Sequence, residues 1–276
     1  MASHICATCG AQFEERAEPP ASCPICADDR QYVARGGQSW TTMKALGADH
    51  CNRIEDDDGL MGIGIAPAFA IDQRALILPT AHLRILWETV SLVTPEAVER
   101  ATAEGPIDLI AISHPHFYSS MAEWSEALGG APIYIHEADR EWLMRSSSNI
   151  MYWSGDVCAL AEGVRLIRAG GHFPGSAVLH WMDDNRPKGA LFTGDALQVT
   201  PGGNGVSFMY SYPNLIPMRA KDVEDMRGKL GGCAFEDAYG YTWRRNIIGG
   251  ARKAVERSFV RYLDAVRPAH LAPAVY

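Results

Sequence analysis

From residue 59 onward, short apolar runs alternate with glycine and proline, and most are too short for helices. Gly59–Ile65, Ala75–Pro79 and Leu83–Glu88 read as strands with turn residues between them. Thr94–Glu104 has helical spacing, with Thr94 as N-cap and Pro95 at the first helical position. Ile107–Ser113 is an apolar run of the kind that marks a strand covered on both faces. Met121–Leu128 reads as a helix, Pro132–His136 as a strand and Glu137–Met144 as helical again. Val164–Ala169, Ala177–Trp181 and Ala190–Thr193 supply three more strands, and Asp222–Leu230 and Ala251–Val266 two more helices. The chain has no internal repeat and no Ser/Gly-rich linker. Strands and helices in mixture, with several hairpin-like pairs, predict sheets covered by helices.

Composition narrows the class. The 276 residues are 47% hydrophobic and 21% charged, which excludes disordered and low-complexity chains and suffices for a sizeable core. Net charge is −8, from 25 basic and 33 acidic residues, and no Lys/Arg stripe forms a nucleic-acid or anionic-membrane surface. No apolar stretch approaches the roughly 18 residues of a membrane span. The start, Met-Ala-Ser-His-Ile-Cys, lacks a signal pattern, so a reducing cytoplasm is expected, where cysteines bind metals more often than they form disulfides. A small-molecule partner is expected, and homo-oligomerisation is left open.

Four of the seven cysteines crowd into the first 26 residues as Cys6-x-x-Cys9 and Cys23-x-x-Cys26. Two such pairs present four thiolates from two tight turns, as a tetrahedral metal requires. The segment is too short for an apolar core of its own, so metal binding would supply its folding energy. Cys51, Cys158 and Cys233 lack partner spacing and read as small buried hydrophobes.

A second cluster is spread along the chain. Ile107–Ser113 runs into His114-Pro115-His116, Val164–Ala169 into Gly170-Gly171-His172-Phe173-Pro174-Gly175, and Ala190–Thr193 into Gly194-Asp195. Three strand ends thus supply three imidazoles and a carboxylate, a set suited to zinc, with iron or manganese as alternatives.

In these motifs the chain resembles the metallo-β-lactamase-fold hydrolases, with their His-x-His-x-Asp-His loop, Gly-His-x-Pro-Gly loop and Gly-Asp strand end. His114, His116, His172 and Asp195 match in order and context, over roughly residues 59–250. The resemblance implies an α+β fold, an αββα sandwich with metal ligands along one edge, and hydrolysis of an ester, thioester, lactam or phosphodiester bond. Where the family carries its next Asp and His, this chain has Tyr118 and Ser119, and Tyr241 stands where a later histidine is usual. Those missing residues hold the family's second metal, so one ion, held by His114, His116, His172 and Asp195, is expected. His270, the only late histidine, is expected to be structural.

Cys6-x-x-Cys9-Gly10 and Cys23-Pro24-x-Cys26 resemble the knuckles of zinc ribbons and rubredoxin-type iron carriers. Zinc is favoured in both sites because no flavin or haem motif offers an electron partner, with iron the alternative in either. The expected organisation is a four-cysteine, zinc-ribbon-like segment over residues 1–40 and a catalytic domain over residues 41–276.

The expected chemistry is attack by a metal-activated water, with Asp195 as ligand or orienting base and Tyr118 as proton donor. Ser119, Tyr210, Tyr212 and Tyr241 are the expected substrate contacts, aromatic packing being the alternative for Tyr210 and Tyr212. This reduced machinery suits esters, thioesters and lactones. His136 and His180 read as core or surface residues, His4, His50 and His82 as exposed, and Asp56-Asp57-Asp58 as a solvated turn. Two other readings compete: a rubredoxin-linked oxidoreductase related to flavodiiron proteins, and a non-catalytic metal-binding scaffold.

Overall fold

In the computed structural model, which describes residues 1–267, two mixed sheets pack face to face. The first orders its strands Ile150–Trp153, Ile133–His136, Leu109–Ala111, Arg84–Trp87, Ala75–Pro79, Met61–Ala66 and Cys51–Asp56. The second runs Val157–Ala161, Val164–Arg168, Ala177–Trp181, Ala190–Phe192, Asp237–Tyr239 and Asn246–Ile247. Between them Leu76, Leu78, Ile85 and Trp87 meet Leu166, Leu179, Trp181 and Phe192. The next residues along the same strands point the other way. Ile77 and Leu86 pack with Leu46, Ala97 and Trp124 of the helices Met43–Asp49, Pro95–Thr102 and Met121–Ala127. Val178 and Leu191 pack with Met226 and Phe259 of the helices Ala220–Leu230 and Ala251–Val266. Both faces of each sheet are therefore dry, which is why the central strands read as unbroken apolar runs. The result is the expected αββα sandwich. No helix among the described residues is long and apolar enough to cross a membrane.

The sequence pattern missed Cys51–Asp56, Ile150–Trp153 and Val157–Ala161, which lie at sheet edges. Polar and exposed positions along edge strands dilute the apolar signal. Ile107–Ser113 pairs as a strand only over Leu109–Ala111. Ser113 continues as extended chain, its N–H on Glu88 Oε2 and its carbonyl accepting from Ala177 N. Glu137–Met144 is helical over Glu137–Trp142, as 3₁₀ turns.

Of Asp56-Asp57-Asp58, expected as a solvated turn, Asp56 and Asp58 are exposed but Asp57 is not. Asp57 is buried and paired with the buried Arg74, whose other nitrogens donate to Gly240 O (3.0 Å) and Asn246 Oδ1 (2.8 Å). This guanidinium ties the edge of the first sheet to that of the second. Cys51, expected inside, is exposed, Cys158 is half-buried and Cys233 is buried.

The N-terminal segment forms its own antiparallel sheet from Ala2–Cys6, Gln12–Arg16 and Trp40–Thr42, in the order second, first, third. It is clamped to the sandwich: Gln12 N donates to Ser119 O (3.0 Å) and Ser91 Oγ to Gly10 O (2.8 Å). Gly10 is required there, because a Cβ at its φ of +82° would lie 2.5 Å from Ser91 Oγ.

Arg74→Met should lower stability by about 3–5 kcal/mol, because it leaves Asp57 buried without its counter-charge. Chemical denaturation of the purified variant checks this, and a loss below about 1 kcal/mol would mean that the pair does not tie the sheets.

Candidate metal centres

His114 and His116 are delivered by one turn. After Leu109–Ala111 the chain stays extended to His114, then curls into a 3₁₀ turn over Pro115–Phe117 with Pro115 at its first position. His172 follows Val164–Arg168 on a glycine-rich loop, and Asp195 follows Ala190–Phe192. Gly194 must be glycine: at φ +51°, a Cβ would meet Ser113 Oγ at 2.4 Å.

All four residues are buried, and one ligand atom from each lies within 4.8 Å of every other. His114 Nε2 is 3.4 Å and His116 Nδ1 4.0 Å from Asp195 Oδ2, and His172 Nε2 is 3.3 Å from His116 Nδ1. Burial lowers the pKa of His114 to about 4 and holds that of His172 well below the usual range, so both imidazoles stay neutral. Burial works to raise Asp195, but the adjacent imidazoles of His114 and His116 outweigh it and keep the carboxylate ionised. His114 Nε2 and Asp195 Oδ1 are buried with no hydrogen-bond partner. Neutral imidazoles and an ionised carboxylate, with orphaned lone pairs converging on one point, fit a metal cation.

The surrounding groups aim the ligands. His172 Nδ1 lies 2.9 Å from the carbonyl of Tyr210, which can only accept, so Nδ1 carries the proton and Nε2 faces the centre. His114 Nδ1 lies 2.7 Å from Ser113 Oγ, and Ser113 N donates to Glu88. Glu88 is fully buried at φ +66°, a strained setting for a non-glycine residue, and burial pushes its pKa up to about 8. Asp139 accepts from Gly175 N (2.7 Å) in the His172 loop, and burial raises its pKa to about 7.

The four ribbon cysteines form the second group. All are buried, with Cys6 Sγ 3.6 Å from Cys26 Sγ and Cys9 Sγ 3.7 Å from Cys23 Sγ. Hydrogen bonds from Cys23, Cys26 and Cys9 hold Cys6 far below the usual thiol range, while those from Cys23 and Cys6 help to push Cys26 up. Four sulfurs so close cannot all be thiolates without a cation among them, and a tetrahedral metal meets that need. Gln38 Nε2 adds a hydrogen bond to Cys6 Sγ (3.0 Å).

Beside the histidine centre lies a cavity of about 340 Å³, lined by His116, His172, Asp195, Tyr212, Tyr241 and Gln31 among others. Tyr212 and Tyr241 stand at its wall, and the Tyr212 hydroxyl donates to Asp195 O (3.1 Å). Tyr210 contributes its carbonyl to His172 and faces a neighbouring cavity.

Tyr118 and Ser119 are not brought to this cavity. The 3₁₀ turn rotates Tyr118 into the core, where its hydroxyl bonds Asp139 O (3.4 Å) and burial raises its pKa further. Ser119 Oγ accepts from Gln73 Nε2 (2.9 Å). The local motif places these residues beside the ligands in sequence, but the turn decides which way they face.

Of the other histidines, His136 bonds Ala138 N and Gly155 O, and His180 bonds Ala234 O. His82 is exposed, whereas His4 and His50 are half-buried instead of exposed. His270 lies outside the described residues. Sequence reasoning missed Glu88, a lone carboxylate ending an apolar strand, and the ribbon residues Arg30 and Gln31. Arg30 Nε donates to His172 O (2.6 Å), and its guanidinium lies 4.3 Å from the Phe173 ring centroid and 4.9 Å from that of Tyr210.

No protein-family model matches the chain. It is 42% identical over 269 residues to "Uncharacterized protein YmaE" of Bacillus subtilis (strain 168), covering 96% of this chain and 97% of that protein. Among solved structures it is similar to VMB-1 (TM-score 0.56, 13% identity, 78% of this chain and 98% of that one). It is also similar to TMB-1 (0.55, 11%, 78% and 99%) and to the DIM-1 metallo-β-lactamase exposed to ceftazidime (0.55, 12%, 78% and 97%).

Elemental analysis should find close to two metal ions per chain. His172→Ala should remove one and the double variant Cys9→Ser, Cys26→Ser the other. Three ions in the intact chain, or an unchanged count in either variant, would contradict this assignment.

The metal-free protein should show a further signature. Burial raises the Glu88 pKa from its ordinary 4.5 in the unfolded chain to about 8 in the fold. Its protonated form therefore stabilises the fold fully below about 4.5, and that stability is lost as pH rises through about 8. His114 acts oppositely, costing stability as pH falls from 6.5 towards about 4. Glu88→Gln should flatten the alkaline limb of a melting-temperature profile and leave the acid limb in place. An unchanged alkaline limb would remove Glu88 as its source.

Proposed function

The chain belongs to the family of the Bacillus subtilis protein YmaE and has the metallo-β-lactamase fold, and on that premise we propose that it is a metal-dependent hydrolase. One observation carries the reading: three imidazoles and a carboxylate are buried within 4.8 Å of one another, and His116, His172 and Asp195 of this set line a cavity of about 340 Å³.

His114, His116, His172 and Asp195 would hold a single ion, and Cys6, Cys9, Cys23 and Cys26 a structural one. Zinc is the preferred ion in both, because imidazole, carboxylate and thiolate are its usual ligands. An ion in the histidine centre supplies Lewis acidity towards a carbonyl oxygen and acidifies bound water.

The chain's own groups supply the rest. Asp195 is ionised and lines the cavity, so its carboxylate is suited to orienting an attacking water by accepting its hydrogen bond. Its backbone is held in place by the Tyr212 hydroxyl. Tyr241 lines the cavity, and burial raises its pKa, so it stays protonated and can donate a hydrogen bond to the developing oxyanion or leaving group. Tyr118, buried in the core, is not assigned this role. The remaining described groups around the cavity offer no second carboxylate or imidazole beyond the ligands. With so little acid catalysis available, the fitting substrates have good leaving groups: thioesters, activated esters and lactones. Seven cysteines without disulfides fit a reducing cytoplasm.

A panel of thioesters, esters and lactones should be turned over by the zinc-loaded protein, with activity lost to chelator and restored by zinc. Tyr241→Phe should lower kcat by about tenfold to a hundredfold with little change in KM. Two bound metal ions with no turnover of any member would favour the scaffold reading instead.

A further inference from the structure

We infer that Gln31, carried by the ribbon and not by the sandwich, is a substrate-binding residue that reads a secondary amide in the acyl part of the substrate. This rests on the proposed reading of the cavity as the substrate site.

Gln31 is 4% exposed, yet its side-chain oxygen has no hydrogen-bond partner. It lines the same cavity as His116, His172 and Asp195. A buried amide oxygen left unpaired is costly, so a side chain kept in that state at a cavity wall is suited to pairing with a donor that enters it.

The position is fixed from both sides. Arg30, the preceding residue, donates to His172 O at 2.6 Å and its guanidinium packs against Phe173. Asn214 Nδ2 donates to Asp29 O and Gln31 O, both at 2.8 Å. Gln31 N donates to Asp28 O (3.0 Å), and Asp28 follows Cys26 by two residues. The cysteine centre, the loop and the His172 loop thus form one connected support, and rigid support makes a single polar group selective.

A carboxamide offers an acceptor at one end and donors at the other. A secondary amide offers the complementary pair, one N–H and one C=O, and so satisfies Gln31 in either orientation of its side chain. The substrate class is therefore an ester or thioester whose acyl group carries an amide close to the bond cleaved.

Two 4-nitrophenyl esters that differ in one group test this: that of N-acetylglycine and that of levulinic acid, in which CH₂ replaces N–H. With each kcat/KM divided by the uncatalysed rate constant, the zinc-loaded full chain should prefer the amide ester by about tenfold or more. Gln31→Met should bring the ratio to within about twofold of unity, mostly by loss on the amide ester, with metal content unchanged. Gln31→Leu serves the same comparison should the Met variant fail to fold. Calorimetric titration with N-acetylglycinamide and levulinamide, which are not turned over, should show the same preference and the same loss. No preference in the unmodified chain, or an undiminished one in the variants, overturns the inference. Turnover of both esters without dependence on Gln31 refutes it while the hydrolase reading stands. Gln31-dependent amide binding without turnover of either ester does the reverse.

Discussion

Three imidazoles and a carboxylate, removed from water and brought within 4.8 Å of one another, form the constraint around which this molecule is organised. Such a cluster is unfavourable unless every ligand is oriented and a cation balances the set. The fold supplies the orientation from three strand ends at one edge of the sandwich. Ser113 and Glu88 hold His114, the Tyr210 carbonyl holds His172, and Tyr212 holds the backbone of Asp195. The strained backbone at Glu88 is sustained by the packed strands around it.

The ribbon shares in this arrangement. Its first turn is clamped to Ser91 and its second strand to Ser119. Its tail reaches His172 through Arg30 and the cavity through Gln31. A segment that looks in sequence like an appended metal knuckle therefore forms one wall of the cavity. Its four cysteines pack with Ala11, Phe13 and Ile25 in a small core of its own.

At the places where the fold's dinuclear members keep further ligands, this chain has redirected its residues in two ways. Tyr118 and Ser119 turn into the body of the protein, bonding Asp139 and Gln73. Tyr241 remains at the cavity with a protonated hydroxyl. What remains there is a compact set of three imidazoles and a carboxylate, with the phenols of Tyr212 and Tyr241 beside it.

The sandwich is legible in the chain without coordinates, because strands buried on both faces must be apolar throughout and such runs stand out. Both ligand sets are legible too, since Cys-x-x-Cys spacing and histidines at strand ends carry their chemistry locally. The edge strands escaped notice because half of each faces solvent. The direction of Tyr118 and Ser119, the burial of Asp57 against Arg74, and the arrival of Glu88, Arg30 and Gln31 at the centre emerge only once the sheets have packed. Each depends on contacts between residues far apart in the chain: 17 positions separate Asp57 from Arg74, and 142 separate Arg30 from His172. A periodicity or a short motif records what a residue's neighbours in sequence require, and it carries no record of which distant backbone or charge will stand opposite it once the sheets close.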